Sequence, residues 1–288
     1  MKVLRSVAEV RAWRAGAGRA GLVPTMGALH AGHMSLVERA VRETDAAIAS
    51  IFVNPTQFGP NEDFAAYPRK EAEDVALLES HGCAVAFIPP VAEIYPPGDA
   101  TRVTPGPIAA PLEGAARPGH FVGVATVVAK LLAIVRPDIA FFGQKDFQQL
   151  RVLQTIARDL RLGADIVGCT TVREPDGLAM SSRNAYLTTE QRRDAVALSR
   201  GLFAARELWE NGVREPDRLT SAVRIHTDGP GVSLEYVSAA DPITLTELQA
   251  PADSAVVSLA ARVGKARLID NVLLGIDLAD LQIGRAHV

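Results

Sequence analysis

Cysteine is nearly absent: the 288 residues contain only Cys83 and Cys169, far apart and in no CxxC or zinc-ligand spacing. Two free thiols in a reducing compartment are expected, and no disulfide framework. Charge of one sign is also missing. Thirty Lys and Arg oppose 33 Asp and Glu, for a net charge of -3. That composition argues against a nucleic-acid binder, which usually carries a basic stripe. It leaves room for a small anion, which a few local cations and backbone N–H groups can hold. No stretch approaches about 18 uncharged apolar residues, so no membrane span is expected. The opening MKVLRSVAEVRAWRAGAG lacks the apolar core and cleavage site of a secretory leader. The cytoplasm is therefore the expected location. Internal repeats and low-complexity tracts are absent as well.

What remains is ordinary globular composition, 48% apolar and 22% charged. A chain of this length suggests two domains, or one large domain with an appendage. The first part alternates apolar runs with helical periodicity. Strands are predicted at 22–26, 46–53, 83–88, 138–142 and 165–170, and helices at 34–45, 69–81, 123–135 and 146–160. The Pro- and Gly-rich stretch 91–120 predicts short strands and turns. Nearly wholly apolar strands separated by helices mean a parallel sheet covered by helices, whose ligands bind at the carboxyl ends of the strands. A boundary is placed between 174 and 175, giving domains 1–174 and 175–288. The second is read as a smaller α+β domain, with helices at 188–211 and 216–226 and strands at 232–238, 254–262 and 266–269.

Four polar segments fall at strand ends or at the boundary. Pro24–His33 (PTMGALHAGH) places two histidines, three apart, at a strand-to-helix turn. A helix N-terminus offers N–H groups and a positive dipole end, and two imidazoles add donors aimed at phosphate charge. An isolated pair of this spacing is equally what a surface turn carries. Zinc fits poorly, because the spacing lacks the glutamate and continuous helix of HExxH. Phe52–Gly59 (FVNPTQFG) brings Asn54 and Gln57, neutral amides suited to hydroxyl, carboxylate or amine groups. An Asx turn at Asn54-Pro55 accounts for Asn54 but not for Gln57.

Phe142–Gln149 (FGQKDFQQ) offers Lys145 as a point charge, Asp146 as a helix cap and Gln149 one turn on. It lacks the GxxxxGK[ST] of a P-loop. Gly177–Asn184 (GLAMSSRN) sets two hydroxyls and an arginine on a boundary loop, suited to clamping phosphates. Leu178 and Met180 within it suggest a loop packed on one side. A polar linker is the plainer reading.

Together these segments, with YPR, EGAARPGHFVGVATVVAKL, REPDGLAMSSRNAYL and ARVGKARLIDNV, resemble the pantoate–β-alanine ligase (pantothenate synthetase) family over nearly the whole chain. HAGH alone points only to the wider nucleotidyltransferase superfamily; NPTQF, GQKDFQQ and MSSRN narrow it. The resemblance implies a Rossmann-like domain with a small C-terminal domain partly lidding the site, working as a homodimer. It implies two steps on the route to coenzyme A: pantoate and ATP give pantoyl adenylate and pyrophosphate, and β-alanine then gives pantothenate and AMP, with Mg²⁺ accompanying ATP.

By resemblance Met26, Gly27, Ala28, Leu29, His30, Ala31, Gly32 and His33 line the ATP site, with the histidines over the phosphates. Gly143, Gln144, Lys145 and Asp146 form a nucleotide-binding turn, Lys145 on the phosphates and Asp146 near the ribose. Val172 lies against adenine. Met180, Ser181, Ser182 and Arg183 stand where the wider superfamily has KMSKS, so Arg183 takes the lysine's work. Gln57 and Gln149 resemble pantoate-binding glutamines, and Asn54 helps place β-alanine or phosphate. Many members have Glu where Gln144 stands. No residue is assigned to the metal, and no nucleic-acid or membrane partner is implied. The competing readings are a nucleotidyltransferase acting on another small substrate, an aminoacyl-tRNA synthetase and a non-enzymatic binding module. The paired glutamines speak against the first, and the missing tRNA-binding domain against the second. The third leaves four polar segments at strand ends unexplained.

Overall fold

The alternating apolar runs build a parallel sheet. The computed structural model describes residues 1–60, 62 and 64–281, so the last seven residues of the 175–288 domain lie outside the described part. In chain order it contains β1 (Lys2–Leu4), α1 (Val7–Arg14), β2 (Ala20–Thr25), α2 (Ala31–Glu43), β3 (Ala46–Ile51), α3 (Glu71–Ser80), β4 (Val85–Phe87), α4 (Val91–Ile94), α5 (Glu113–Ala116), α6 (His120–Val135), β5 (Ile139–Gly143), α7 (Phe147–Asp159) and β6 (Asp165–Cys169). There follow α8 (Thr189–Glu210), α9 (Pro216–Thr227), β7 (Ser233–Ala240), β8 (Ala255–Val263) and β9 (Ala266–Leu274).

Strands β1 to β6 form one sheet in the order β1-β4-β3-β2-β5-β6, every neighbouring pair parallel. The chain winds outward from β2 through β3 on one side and through β5 on the other. The topological switch point therefore lies between β2 and β5, the place where such sheets bind ligands. Helix α2 packs its stripe of Met34, Leu36, Val37 and Ala40 in one core with Val23, Ala49, Phe141 and Val167 of the strands. Burying each large side chain of that stripe stabilises by roughly 1.5–3 kcal/mol.

By chain contacts the molecule divides into two compact units. One holds Met1–Gly143 and Gln148–Cys169, the other Gln144–Phe147 and Thr170–Leu281. The second unit carries the antiparallel sheet β7-β8-β9. Leu198, Leu202 and Trp209 of α8, Leu219 and Val223 of α9, and Val257, Leu259 and Val263 of β8 share its core.

Several segments differ from the sequence expectation. Residues 91–120 contain α4, α5 and a tight turn over Pro107–Ala109 rather than strands. Their backbone groups find local partners, as in Tyr95 N–H to the Val91 carbonyl at 2.8 Å, and Gln148 Nε2 donates to the carbonyls of Ile108 and Pro111. A loop satisfied from within needs no sheet ladder. Strand β9 runs five residues past the predicted stop at 269, through buried Asp270 and Asn271, whose polarity hides the strand pattern. Helix α2 starts at Ala31 rather than 34, because His30 caps it. Strand β1 and helix α1 were not part of the sequence pattern; α1 is started by a capping box between Ser6 and Glu9.

Candidate active site

The histidine-bearing turn begins at the end of β2. Thr25 Oγ1 donates to the Ser50 carbonyl at 2.7 Å and accepts the Gly27 N–H at 3.2 Å. Gly27 and Ala28 then take φ of 84° and 50°, left-handed values that cost a residue with a side chain roughly 1–2 kcal/mol. The cost at Ala28 is offset by Asp74, whose two oxygens accept the N–H groups of Ala28 and Leu29 at 2.9 and 2.8 Å. Asp74 is 2% exposed, and burial pushes its carboxyl pKa up against those two hydrogen bonds. Sequence reasoning passed over Asp74, because three acids crowd the first turn of α3, where acids are expected on helix-dipole grounds alone.

The histidines follow. His30 Nδ1 accepts the Gly32 N–H at 3.1 Å, and His33 Nδ1 accepts the His30 N–H at 3.3 Å, a reciprocal capping box made by two imidazoles. Their ring centroids are 4.1 Å apart. With Nδ1 accepting in each neutral ring, Nε2 carries the proton, so both rings are donors at the helix N-terminus. Ser, Thr, Asp and Asn are the usual caps, which is why the sequence pattern alone sets the start too late.

At the end of β3, Asn54 caps the tight turn Pro55–Gln57 through its Oδ1, the Asx turn considered from the sequence. Asn54 is 1% exposed. Its Nδ2 donates to Gln57 Oε1 at 2.9 Å and to the Gly123 carbonyl at 3.2 Å. Half-buried Gln57 turns its Nε2 toward Met26 Sδ, 3.3 Å away. The structure thus brings the PTMG and NPTQ segments together.

A second polar chain holds the Gln57 backbone. His120 Nδ1 lies 2.9 Å from the Gln57 carbonyl and its Nε2 lies 3.0 Å from an Arg117 nitrogen. Arginine can only donate, so His120 accepts at Nε2 and donates from Nδ1. Arg117 in turn grips Glu62 with two hydrogen bonds of 2.7 Å. Burial, with the Arg117 charge, lowers the His120 pKa to about 4. Burial would raise Glu62, but the Arg117 hydrogen bonds and charge outweigh it and hold that carboxyl at about 2. In the sequence this polar chain is marked only by the EGAARPGHF segment.

Gln149 lies half-buried on α7, on the β5 side of the switch point, and its neighbour Gln148 is the buried residue that holds the 108–113 loop. In the second unit, Asn271 Nδ2 donates to the carbonyls of Gln144 and Lys145 at 3.0 and 2.9 Å, fixing the turn that presents Lys145 and Asp146. Lys145 Nζ lies 3.5 Å from Asp146 Oδ2. Asn271 was another residue the pattern did not single out.

The Gly177–Asn184 loop is packed on one side, with Leu178 3% exposed. Met180 N–H bonds the Val172 carbonyl at 3.0 Å, and Ser181 Oγ accepts the Arg183 N–H at 3.3 Å, which leaves the Ser181 hydroxyl proton for a further acceptor. Arg173 braces the loop, pairing with Asp270 at 2.6 and 2.9 Å and donating to the Gly177 carbonyl. Among the described residues no group of three or more His, Cys, Asp or Glu is arranged to hold a metal ion, and no helix is long and apolar enough to cross a membrane.

Fold and site define a class: a doubly wound α/β protein with an HxGH strand–turn–helix at its switch point, of the kind that handles nucleotides. Residues 2–273 match the family model described as pantoate-beta-alanine ligase. The chain is 54% identical to the pantothenate synthetase of Roseiflexus sp. strain RS-1, covering 95% of this chain and 99% of that one. It is 52% identical to the pantothenate synthetase of Myxococcus xanthus, covering 95% and 96%. A pantothenate synthetase structure from Thermus thermophilus superposes with a TM-score of 0.90 at 47% identity, covering 94% of this chain and 99% of that one. The pantoate-beta-alanine ligase of Francisella tularensis, solved with beta-gamma ATP and beta-alanine, superposes with a TM-score of 0.78 at 36% identity, covering 96% and 99%. The chain belongs to the pantoate–β-alanine ligase family.

Proposed function

We propose that this chain condenses pantoate with β-alanine at the expense of ATP. A pantoate carboxylate oxygen attacks the α-phosphorus and pyrophosphate leaves. The β-alanine nitrogen, freed of one ammonium proton, then attacks the carbonyl of the adenylate, AMP leaves, and the nitrogen gives up a second proton and keeps one to form the amide. The observation that carries the reading is the meeting of two segments: Gln57 Nε2 stands 3.3 Å from Met26 Sδ. Donors suited to a small acid thus sit beside the turn whose imidazoles suit a phosphate.

His30 and His33 donate from Nε2 to the phosphate oxygens, where charge spreads in the transition state. Lys145, Ser181, Ser182 and Arg183 hold the remaining phosphate oxygens, Arg183 through its fork. Asp146 meets the ribose and Val172 the adenine. Gln57 and Gln149 bind pantoate, and Asn54 acts through Gln57. A Mg²⁺ ion accompanying the triphosphate would take its oxygen ligands from phosphate and water, as magnesium does. When bound it offsets phosphate charge. The enzyme works in the cytoplasm as a homodimer.

The test is pyrophosphate release from ATP with pantoate alone, followed by AMP and amide formation on adding β-alanine. Gln57→Ala and Gln149→Ala should each raise the KM for pantoate far more than that for ATP, as loss of a buried amide hydrogen bond costs roughly 1–3 kcal/mol. Absence of pantoate-dependent pyrophosphate release would refute the reading.

A further inference from the structure

Tyr95 lies outside every segment that carries the proposed chemistry, directly after α4, yet its hydroxyl reaches into the turn that presents Gln57. Tyr95 Oη donates to Asn54 Oδ1 at 2.8 Å. Thr56 closes a triangle, its Oγ1 lying 3.0 Å from both Tyr95 Oη and Asn54 Oδ1, and the Thr56 N–H adds a third donor to Asn54 Oδ1 at 3.3 Å. Asn54 Nδ2 spends its two hydrogens on Gln57 Oε1 and the Gly123 carbonyl. The amide has one workable orientation. A flip would set its NH₂ against the Thr56 N–H and its oxygen against the Gly123 carbonyl.

The tyrosine ring is itself held. Lys130 Nζ sits 4.9 Å and the Arg102 guanidinium 5.9 Å from its centroid, and the Phe52 ring packs 6.2 Å away. Lys130 also donates to the Ile94 carbonyl at 2.9 Å and pairs with Asp99, anchoring the residue before Tyr95. The hydroxyl is thus placed before any ligand arrives.

The orientation passes to Gln57. Its Oε1 is occupied by Asn54, so the group it turns outward is the NH₂, a donor that among the described residues has only the weak thioether of Met26 beside it. A ligand atom opposite must be an acceptor, a carboxylate or hydroxyl oxygen and not an ammonium. We propose that Tyr95 is a positioning residue that, through Asn54, locks Gln57 with its amide donors outward and so selects the oxygens of the acid substrate over the ammonium of the amine substrate. This rests on Gln57 binding pantoate.

Steady-state kinetics on full-length Tyr95→Phe, Gln57→Ala and the double variant test it. Tyr95→Phe removes one donor and keeps the ring. It should raise the KM for pantoate about 3- to 10-fold, the scale of one hydrogen bond, and leave the KM for ATP within about twofold. In the Gln57→Ala background the same change should add nothing further, since the residue it positions is gone. Asn54→Asp, which sets an acceptor against Gln57 and forces the glutamine carbonyl outward, should raise the KM for pantoate more than Tyr95→Phe. Four results overturn the relay. Tyr95→Phe can leave the pantoate KM unchanged while Gln57→Ala raises it, in which case Gln57 still binds pantoate. It can raise the KM values for ATP and pantoate together, or add its full effect to Gln57→Ala, which marks general loosening. Should Gln57→Ala itself leave the pantoate KM unchanged, the binding assignment fails and the relay fails with it.

Discussion

Gly123 of α6 lies so close to Thr56 that a Cβ built on it would stand 2.2 Å from the Thr56 carbonyl oxygen and 2.5 Å from its carbon. The helix can pass the Asn54–Gln57 turn at that distance only without a side chain. The Gly123 carbonyl then receives Asn54 Nδ2.

Gly123→Ala should therefore damage both packing and substrate binding. Alanine favours a helix interior by about 1 kcal/mol over glycine. Against that, overpacking against rigid backbone costs about 1–3 kcal/mol and moves the turn. The clash wins. A lower thermal midpoint together with a raised KM for pantoate is expected; an unchanged pair of values would mean the turn yields freely.

Asp74→Asn should weaken ATP more than pantoate. The asparagine keeps one acceptor but turns an NH₂ toward the N–H of Ala28 or Leu29, unseating the left-handed turn. Hydrogen bonds to charged groups contribute about 1.5–3 kcal/mol, so a rise of roughly tenfold or more in the KM for ATP is expected. Isothermal titration with a non-hydrolysable ATP analogue checks it, and equal affinity in both proteins would contradict the positioning role.

His33→Ala removes a donor and half of the capping box. Pantoate-dependent pyrophosphate release should fall by about 10²-fold or more, the scale of a lost oxyanion donor. Far-ultraviolet circular dichroism should stay close to that of the parent. Near-normal pyrophosphate release would rule out the role.

Arg183→Ala should separate the two half-reactions. Adenylation should be strongly impaired, while synthetic pantoyl adenylate still reacts with β-alanine, because the pyrophosphate is already gone. Arg183→Lys should restore only part of the loss, since lysine keeps the charge but not the fork. Equal damage to both steps, measured by quenched flow, would remove Arg183 from the phosphates.

Acid should loosen the Gln57 support through His120. Its pKa falls from 6.5 unfolded to about 4 folded, so between those values the unfolded chain binds a proton that the folded one refuses. Stability then drops as pH falls from about 6.5 to 4, by about 3 kcal/mol at most, and is fully present above that window. Glu62, held at about 2 against 4.5, adds a loss that begins below pH 4.5. Urea unfolding across pH should show this slope, and His120→Gln should flatten it between 6.5 and 4. An identical slope in the variant would place the acid sensitivity elsewhere.

Several of these residues were readable from the chain and several were not. The parallel sheet followed from apolar strand runs bounded by Gly and Pro, because a strand buried on both faces has no polar side to show. The HAGH, NPTQ and GQKD segments stood out because each follows such a strand directly, and ligands of parallel sheets gather at those ends. Gln57 drew notice because turn geometry explains Asn54 and leaves the glutamine over.

Asp74, Tyr95, His120 and Asn271 share one property that hides them: each acts on backbone or side chains far away in sequence. Asp74 bonds residues 45 and 46 positions away, Tyr95 one 41 away, and Asn271 carbonyls 126 and 127 away. Local pattern carries no trace of such pairings. The amino-acid order by itself determined the strand–helix alternation, the carboxyl-end loops and the residue types proposed to meet the substrates, since these depend on short-range periodicity and side-chain chemistry. Which way the Gln57 amide faces, which nitrogen of each histidine keeps its proton, and how Ala28 is held in a left-handed turn were decided only by the tertiary structure. A hydrogen bond is directional, and its partner has to be brought within about 3 Å before it can choose.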